Sequence, residues 1–156
     1  MPLRKAEIDR RMKRFVEGCR QAGMKLTHQR TEIFRELAST GEHPDAERLY
    51  QRVRERIPAI SRDTVYRTLS SLEDKGLLSK VGVRSGRTRY DANADRHHHF
   101  VCIHCGRIED FYSEALDDLP VPKAAASLGS VLSTHVQLRG VCSTCARRGT
   151  RQTRRG

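Results

Sequence analysis

From Asp91 to Asp110 the chain reads DANADRHHHFVCIHCGRIED, three adjacent histidines running into a Cys-x-x-Cys pair with a carboxylate at each end. His, Cys and Asp are the side chains that offer lone pairs to a metal ion, and few other demands gather them so densely. If HHHFVC is extended, alternation sends His97 and His99 to one face and His98 with Phe100 to the other, so two histidines converge and the third need not. Cys102 and Cys105, followed by Gly106, have the spacing of a knuckle turn that aims two thiolates at one tetrahedral ion. A second pair, Cys142 and Cys145, follows Gly140 near the end of the chain. Together the four sulfurs make a complete shell for structural zinc, and the whole stretch reads as a metal-controlled switch.

At 156 residues the chain allows one large domain or two small ones, and a hydrophobic fraction of 37% is lean for burying a core. A stapling metal would help. No apolar run approaches the roughly 20 residues that span a bilayer, and MPLRKAEIDRR lacks the apolar core of a secretory signal. The expected location is therefore the cytoplasm, with no membrane partner. In a reducing compartment two Cys-x-x-Cys pairs read as zinc ligands rather than disulfides. Cys19, on a helix, reads as a small buried apolar residue.

The formal net charge is +11, and its distribution says more than its size. Residues 1–90 hold 21 Lys and Arg against 12 Asp and Glu, residues 91–146 hold 4 against 7, and the last ten residues add 5 arginines. A basic first half joined to a mildly acidic, ligand-rich second half suits a nucleic-acid reader attached to a sensor. Charge alone does not separate this from a merely arginine-rich chain, so the motifs must decide.

Between Lys5 and Ala22 the apolar residues Ile8, Met12, Phe15, Val16 and Cys19 recur at three- and four-residue steps, which predicts an amphipathic helix stopped at Gly23. Thr27 offers an N-cap to a second helix, with Ile33, Phe34 and Leu37 facing inward before Gly41. His43-Pro44 opens a third, with proline at its first position and Ala46, Leu49, Val53 and Ile57 as its buried stripe; Pro58 closes it. A fourth runs from Ser61 to about Lys75, with Val65, Leu69 and Leu72 inward and Thr64, Arg67 and Ser71 on the opposite stripe, flanked by Arg62 and Tyr66. LLSKVGV, the turn RSG, and RTRYD then form a hairpin carrying Arg84, Arg87 and Arg89.

Helices followed by a basic hairpin describe a winged helix-turn-helix, whose last helix enters the major groove while the wing lies against phosphates. An Arg and Thr stripe on one isolated helix would read as a solvated face; the order of elements reverses that reading. The candidate DNA contacts are Arg62, Thr64, Tyr66, Arg67, Arg84 and Arg87, and which of them touch bases stays open. Residues 91–96, without apolar periodicity, read as a hinge. Beyond it come a strand (97–103), the knuckle, a strand (107–112), a small helix near Lys123 to Leu128, a strand (130–139), and a basic tail (147–156) expected to be disordered. The expected fold class is α+β: a winged-helix DNA-binding domain over 1–90 and a small α/β dimerisation domain over 97–146 with a four-cysteine zinc site.

The TxxR of Thr27 to Arg30, HPDAERLY, ISRDTVYRTLSSLEDKGLL, HHHFVCIHCGRIEDF and GVCSTC together resemble the ferric uptake regulator (Fur) family of metalloregulators over residues 10–146. The resemblance implies a homodimer with N-terminal winged helices on a palindromic operator and C-terminal domains paired. It implies structural zinc on Cys102, Cys105, Cys142 and Cys145, and a regulatory metal on His43, Asp91, His97, His99 and Asp110. Iron-sensing members tend to carry Glu where this chain has Asp91 and Asp110, so the pattern is similar to the peroxide-sensing (PerR) branch. There the resemblance implies Fe(II) or Mn(II) as regulatory ion, with peroxide oxidising His43 or His97 and the repressor leaving DNA.

One position departs from the family. A histidine often stands eight residues before the third zinc cysteine; here Thr134 does, with His135 one step along, and in a strand one step turns a side chain to the other face. A further metal site and a partner for His98 are therefore not expected, while His28 and His104 read as surface or capping residues. Three other readings compete. A sensor of iron or zinc availability differs only in what it reports. A non-heme iron enzyme could use two histidines and a carboxylate, but it would not need a basic helical half, so the chain is not expected to be an enzyme. A zinc-ribbon nucleic-acid binder would leave His43, Asp91 and Asp110 without a purpose.

Overall fold

The computed structural model describes residues 3–84 and 86–153, the side chains at 83, 84 and 150–153 excepted. The chain divides into two compact units, Met1–Ala94 and Asp95–Gly156. Among the described residues no helix is long and apolar enough to cross a membrane.

The first unit strings α1 (Lys5–Gln21), α2 (His28–Ala38), α3 (Ala46–Arg54) and α4 (Arg62–Asp74) before a hairpin of β1 (Ser79–Arg84) and β2 (Arg87–Asp91), the winged helix-turn-helix order. Side-chain oxygens start three of these helices: Thr27 accepts from the Arg30 amide, Asp45 from that of Arg48 and Ser61 from that of Thr64, each satisfying a donor that the first helical turn leaves unpaired. At the far end of α4, Gly76 takes a left-handed φ of 68° and the Leu77 amide donates back to the Leu72 carbonyl, a Schellman closure that turns the chain into the wing. Inside, Phe15 stacks on Phe34 with ring centroids 4.2 Å apart, and Cys19, Ile33, Leu49, Val53, Val65, Leu69 and Leu72 are fully buried around them.

Two boundaries differ from expectation. Pro44 does not begin α3: His43 sits in a left-handed turn (φ 51°) and Asp45 caps a helix that starts at Ala46, because a capping carboxylate satisfies an amide whereas Pro44 satisfies none. That helix also ends at Arg54, before Pro58, leaving Ile57 only partly buried.

The second unit is built on a three-stranded sheet in the order β4, β3, β5, where β3 is His98–Cys102, β4 is Ile108–Phe111 and β5 is Gln137–Gly140. β3 and β4 pair antiparallel around the knuckle, and β3 pairs parallel with β5, which requires a crossover. Residues 112–136 supply it, with one-turn helices α5 (Glu114–Asp117) and α6 (Lys123–Ala126). The strand expected over 130–139 is only its last part, so Thr134 and His135 precede the strand and the one-step argument about opposite faces does not apply to them. The tail is another correction: α7 runs Ser143–Thr153, because residues after the last cysteine pair are mostly good helix formers such as Arg and the Ala146 amide donates to the Cys142 carbonyl. Positions 154–156 of the expected tail lie outside the described residues.

Leu49 lies at the centre of the first unit's core. Leu49→Ala should lower unfolding free energy by about 2–5 kcal/mol, read as a fall in urea midpoint, while bound zinc per chain is unchanged because the cysteine pairs belong to the other unit.

Candidate metal centres and nucleic-acid face

The four-cysteine cluster is local to the second unit. Cys102 ends β3, Cys105 follows on the knuckle, and Cys142 and Cys145 flank the start of α7; one sulfur from each lies within 4.8 Å of the others. The parallel register sets this distance, since Cys102 stands opposite Gly140, two residues before Cys142. The Cys142 amide donates to Cys102 Sγ at 3.3 Å and the Cys145 amide to Cys142 Sγ at 3.5 Å. Backbone amides of Cys105 and Cys142 aimed at Cys102 hold its thiol down at about 5, whereas the hydrogen bond to Cys142 and burial push Cys145 up to about 12. Amides that favour a thiolate, and sulfurs that resist sharing negative charge without a cation, are what a zinc shell looks like from the protein side.

A second set of donors lies on the same unit. His97 Nε2 and His99 Nε2 are 2.9 Å apart, and Asp110 Oδ1 is 3.7 Å from the first and 3.4 Å from the second. The antiparallel register puts Asp110 directly opposite His99, and the i, i+2 spacing puts His97 on the same side. His97 Nδ1 is 2.6 Å from the Asp95 carbonyl, which can only accept, so Nδ1 carries the proton and the neutral ring keeps its lone pair on Nε2. The residues fit an ion that takes imidazole and carboxylate.

The first unit holds two further donors. His43 Nε2 stands 3.6 Å from Asp91 Oδ2 with both side chains 3% exposed, and Asp91 Oδ1 accepts from the Asn93 amide at 2.7 Å. Alternate residues of β2 address the turn before α3 in order. Arg87 reaches Asp45 at 3.4 Å, Arg89 donates to the carbonyls of Glu42 (2.7 Å) and His43, and Asp91 faces the His43 ring. Arg89, read as a wing arginine with Arg84 and Arg87, is therefore turned to the backbone of the 42–43 turn instead of to solvent. Sequence gave no sign of this, since only the pairing of β2 with a non-adjacent segment distinguishes it from Arg87.

His98 is the third of the run and differs from its neighbours. It is fully buried, accepts from the Val136 amide through Nδ1 at 3.3 Å, and so carries its proton on Nε2, 3.1 Å from Asp117 Oδ1 though not aligned as a hydrogen bond. That carboxylate sits on α5, where nothing in the spacing of the sequence points to it.

On the first unit's outer face, a cleft of about 510 Å³ is lined by Asp45, Glu47, Arg62, Tyr66, Arg87 and Thr88 among others. Arg62 forks onto Glu47 at 3.0 and 3.1 Å and lies 4.4 Å over the Tyr50 ring; the Glu47 carboxylate raises the Arg62 pKa, and Arg62 lowers that of Glu47. Arg67, exposed, pairs with Asp63 at 2.9 Å on its own helix, and Tyr66 is half exposed. Thr64 is half-buried, with its hydroxyl 2.9 Å from that of Ser61 in the cap. The Arg84 side chain lies outside the described residues, although its backbone pairs with Arg87. Arg62, Arg67 and Arg87 have carboxylate partners, so an anion would enter by exchange with Glu47, Asp63 or Asp45.

Residues 21–138 match the model of the ferric uptake regulator family. The peroxide-responsive repressor PerR of Staphylococcus epidermidis is 31% identical over 142 residues, covering 91% of this chain and 95% of the relative. A zinc uptake regulator complexed with zinc and DNA superposes with a TM-score of 0.67 at 26% identity, over 92% of this chain and 97% of that one. A PerR structure from Streptococcus pyogenes, solved in a study of peroxide sensing, gives 0.51 at 27% identity, over 93% and 95%.

Removing one sulfur should unmake the shell in the second unit. Cys102→Ser protein is expected to retain little zinc by elemental analysis and to lose strand signal, while the helices of the first unit persist in far-UV circular dichroism; full zinc retention would contradict the four-sulfur assignment.

Proposed function

The chain belongs to the ferric uptake regulator family, and on that premise we propose that it is a metal-dependent transcriptional repressor that senses peroxide. In this reading it holds a palindromic operator as a homodimer when Fe(II) or Mn(II) is bound, and releases it when a ligating histidine is oxidised. The supporting observation is the donor chemistry. His43, His97, His99, Asp91 and Asp110 offer imidazole and carboxylate without sulfur, which suits Fe(II) and Mn(II), while the thiolates are gathered in a separate set that suits zinc. The relationship to a peroxide-responsive repressor supports the branch.

We assign the regulatory ion to His43 and Asp91 of the first unit jointly with His97, His99 and Asp110 of the second, and structural zinc to Cys102, Cys105, Cys142 and Cys145. Ligands drawn from two units are satisfied together in one relative pose only, so binding free energy becomes conformational free energy. About 10⁴-fold differential affinity would move a population from roughly 1:99 to 99:1. Bound Fe(II) would supply the one-electron chemistry that turns hydrogen peroxide into an oxidant able to add oxygen to a neighbouring imidazole. His97 presents the Nε2 lone pair that Asp95 has selected, and oxidation of its ring removes that donor. His43 is the single imidazole the first unit contributes, so its loss leaves only Asp91 there and weakens the tie.

DNA contact is assigned to Arg62, Thr64, Tyr66, Arg67, Arg84 and Arg87, the α4 and wing face, in line with a relative solved on DNA. Leu128 and Leu132, 89% and 96% exposed on the second unit, support pairing through that unit. An iron- or zinc-availability sensor is the alternative, favoured by the likeness to a zinc uptake regulator. Peroxide separates the two. Iron-loaded protein treated with peroxide should lose operator binding and show added oxygen on tryptic peptides containing His43 or His97, and manganese-loaded protein should show neither. Operator binding that survives peroxide in the iron form, with unmodified peptides, but disappears on chelation would favour the availability sensor.

A further inference from the structure

His43 is, among the described residues, the only one other than glycine with a positive φ, 51°, a conformation that an L-residue adopts rarely and that the surroundings must hold in place. The surroundings are specific. The Arg89 guanidinium donates through Nε to the His43 carbonyl and through Nη2 to the Glu42 carbonyl at 2.7 Å, spanning the turn on its C=O side. The Tyr90 amide donates to the Pro44 carbonyl at 3.0 Å, and Asp45 bridges to Arg89 as an isolated antiparallel pair. Arg89 stands two residues before Asp91 on β2, so the side chain that grips the His43 backbone shares a strand face with the carboxylate that meets the His43 ring at 3.6 Å.

We infer that Arg89 is a positioning residue for the regulatory ion: by bonding the two consecutive carbonyls of the 42–43 turn it fixes the left-handed backbone that aims the His43 imidazole at Asp91. A planar fork with rigidly spaced donors can hold two carbonyls in a fixed relation, which a lysine ammonium on a flexible stem does less well. Without it the turn is free to leave the left-handed region, and His43 is then a tethered imidazole instead of a placed one. The inference rests on the assignment of His43 and Asp91 as ligands and adds to it a group that touches no metal. Outer-shell partners of this kind typically carry about 10- to 100-fold in metal affinity.

The test uses the full-length, zinc-loaded protein, with Mn(II) as probe. Mn(II) affinity is measured by electron paramagnetic resonance of the free ion, and bound imidazole by electron spin echo modulation from nitrogen, for the native protein and for His43→Ala, Arg89→Ala and Arg89→Lys. Zinc content and the metal-free unfolding midpoint of each variant are recorded alongside. The expectation is that Arg89→Ala weakens Mn(II) binding about 10- to 100-fold and loses the modulation of one imidazole, as His43→Ala does, with zinc unchanged. Arg89→Lys should recover part of both, which a loss of general packing would not produce. If His43→Ala weakens binding and loses its nitrogen while both Arg89 variants keep native affinity and modulation, the inference fails and the ligand assignment stands. Weakened binding in Arg89→Ala with the full imidazole modulation retained would also overturn it, assigning Arg89 a purely structural role. If His43→Ala itself changes neither quantity, the assignment of His43 as a ligand fails and the inference with it.

Discussion

Two donors stand on one unit, His43 and Asp91, and three on the other, His97, His99 and Asp110, and neither group alone saturates an ion that prefers octahedral coordination. That shortfall is the constraint on which the proposed switch depends. A site completed within one unit would bind its ion without regard to the pose of the other, and the ion could then carry no information to DNA. The cysteine cluster shows the contrast: all four sulfurs belong to the second unit, so zinc there can hold that unit together without taking part in the signal.

Small local choices make the donors usable. Along β3 and its approach, consecutive histidines are set to opposite tautomers by what their other nitrogen meets. The Asp95 carbonyl leaves His97 with an outward lone pair, and the Val136 amide gives His98 a proton on the nitrogen facing Asp117. One keeps a lone pair that a metal could take and the other is a fully buried group, although the residues are identical and adjacent. On the first unit the equivalent choice is made by backbone, through the turn that Arg89 spans.

Much of this could be read from the sequence because it is periodic or closely spaced. Helices α1, α2 and α4 follow from their apolar stripes and caps, the separation of His97 and His99 from His98 follows from strand alternation, and the cysteine pairs announce themselves by spacing. What could not be read depends on contacts between distant segments. The carboxylate beside His98 lies on α5, and Arg89 looks like any wing arginine until β2 is paired with the turn before α3. The strand expected over 130–139 is confined to Gln137–Gly140, because the β3 ladder pairs only those residues.

The central claim is that an ion shared by the two units sets operator affinity, and it is tested most directly by fluorescence anisotropy of a labelled operator with zinc-loaded protein, with and without Mn(II), in the native chain and in Asp110→Asn. Asp110 belongs to the second unit, so its substitution leaves the residues of the first unit unchanged. The account predicts that Mn(II) tightens operator binding of the native protein by about tenfold or more, roughly 1.4 kcal/mol, and has little effect on Asp110→Asn. Equal tightening in both proteins, or none in the native one, would contradict it.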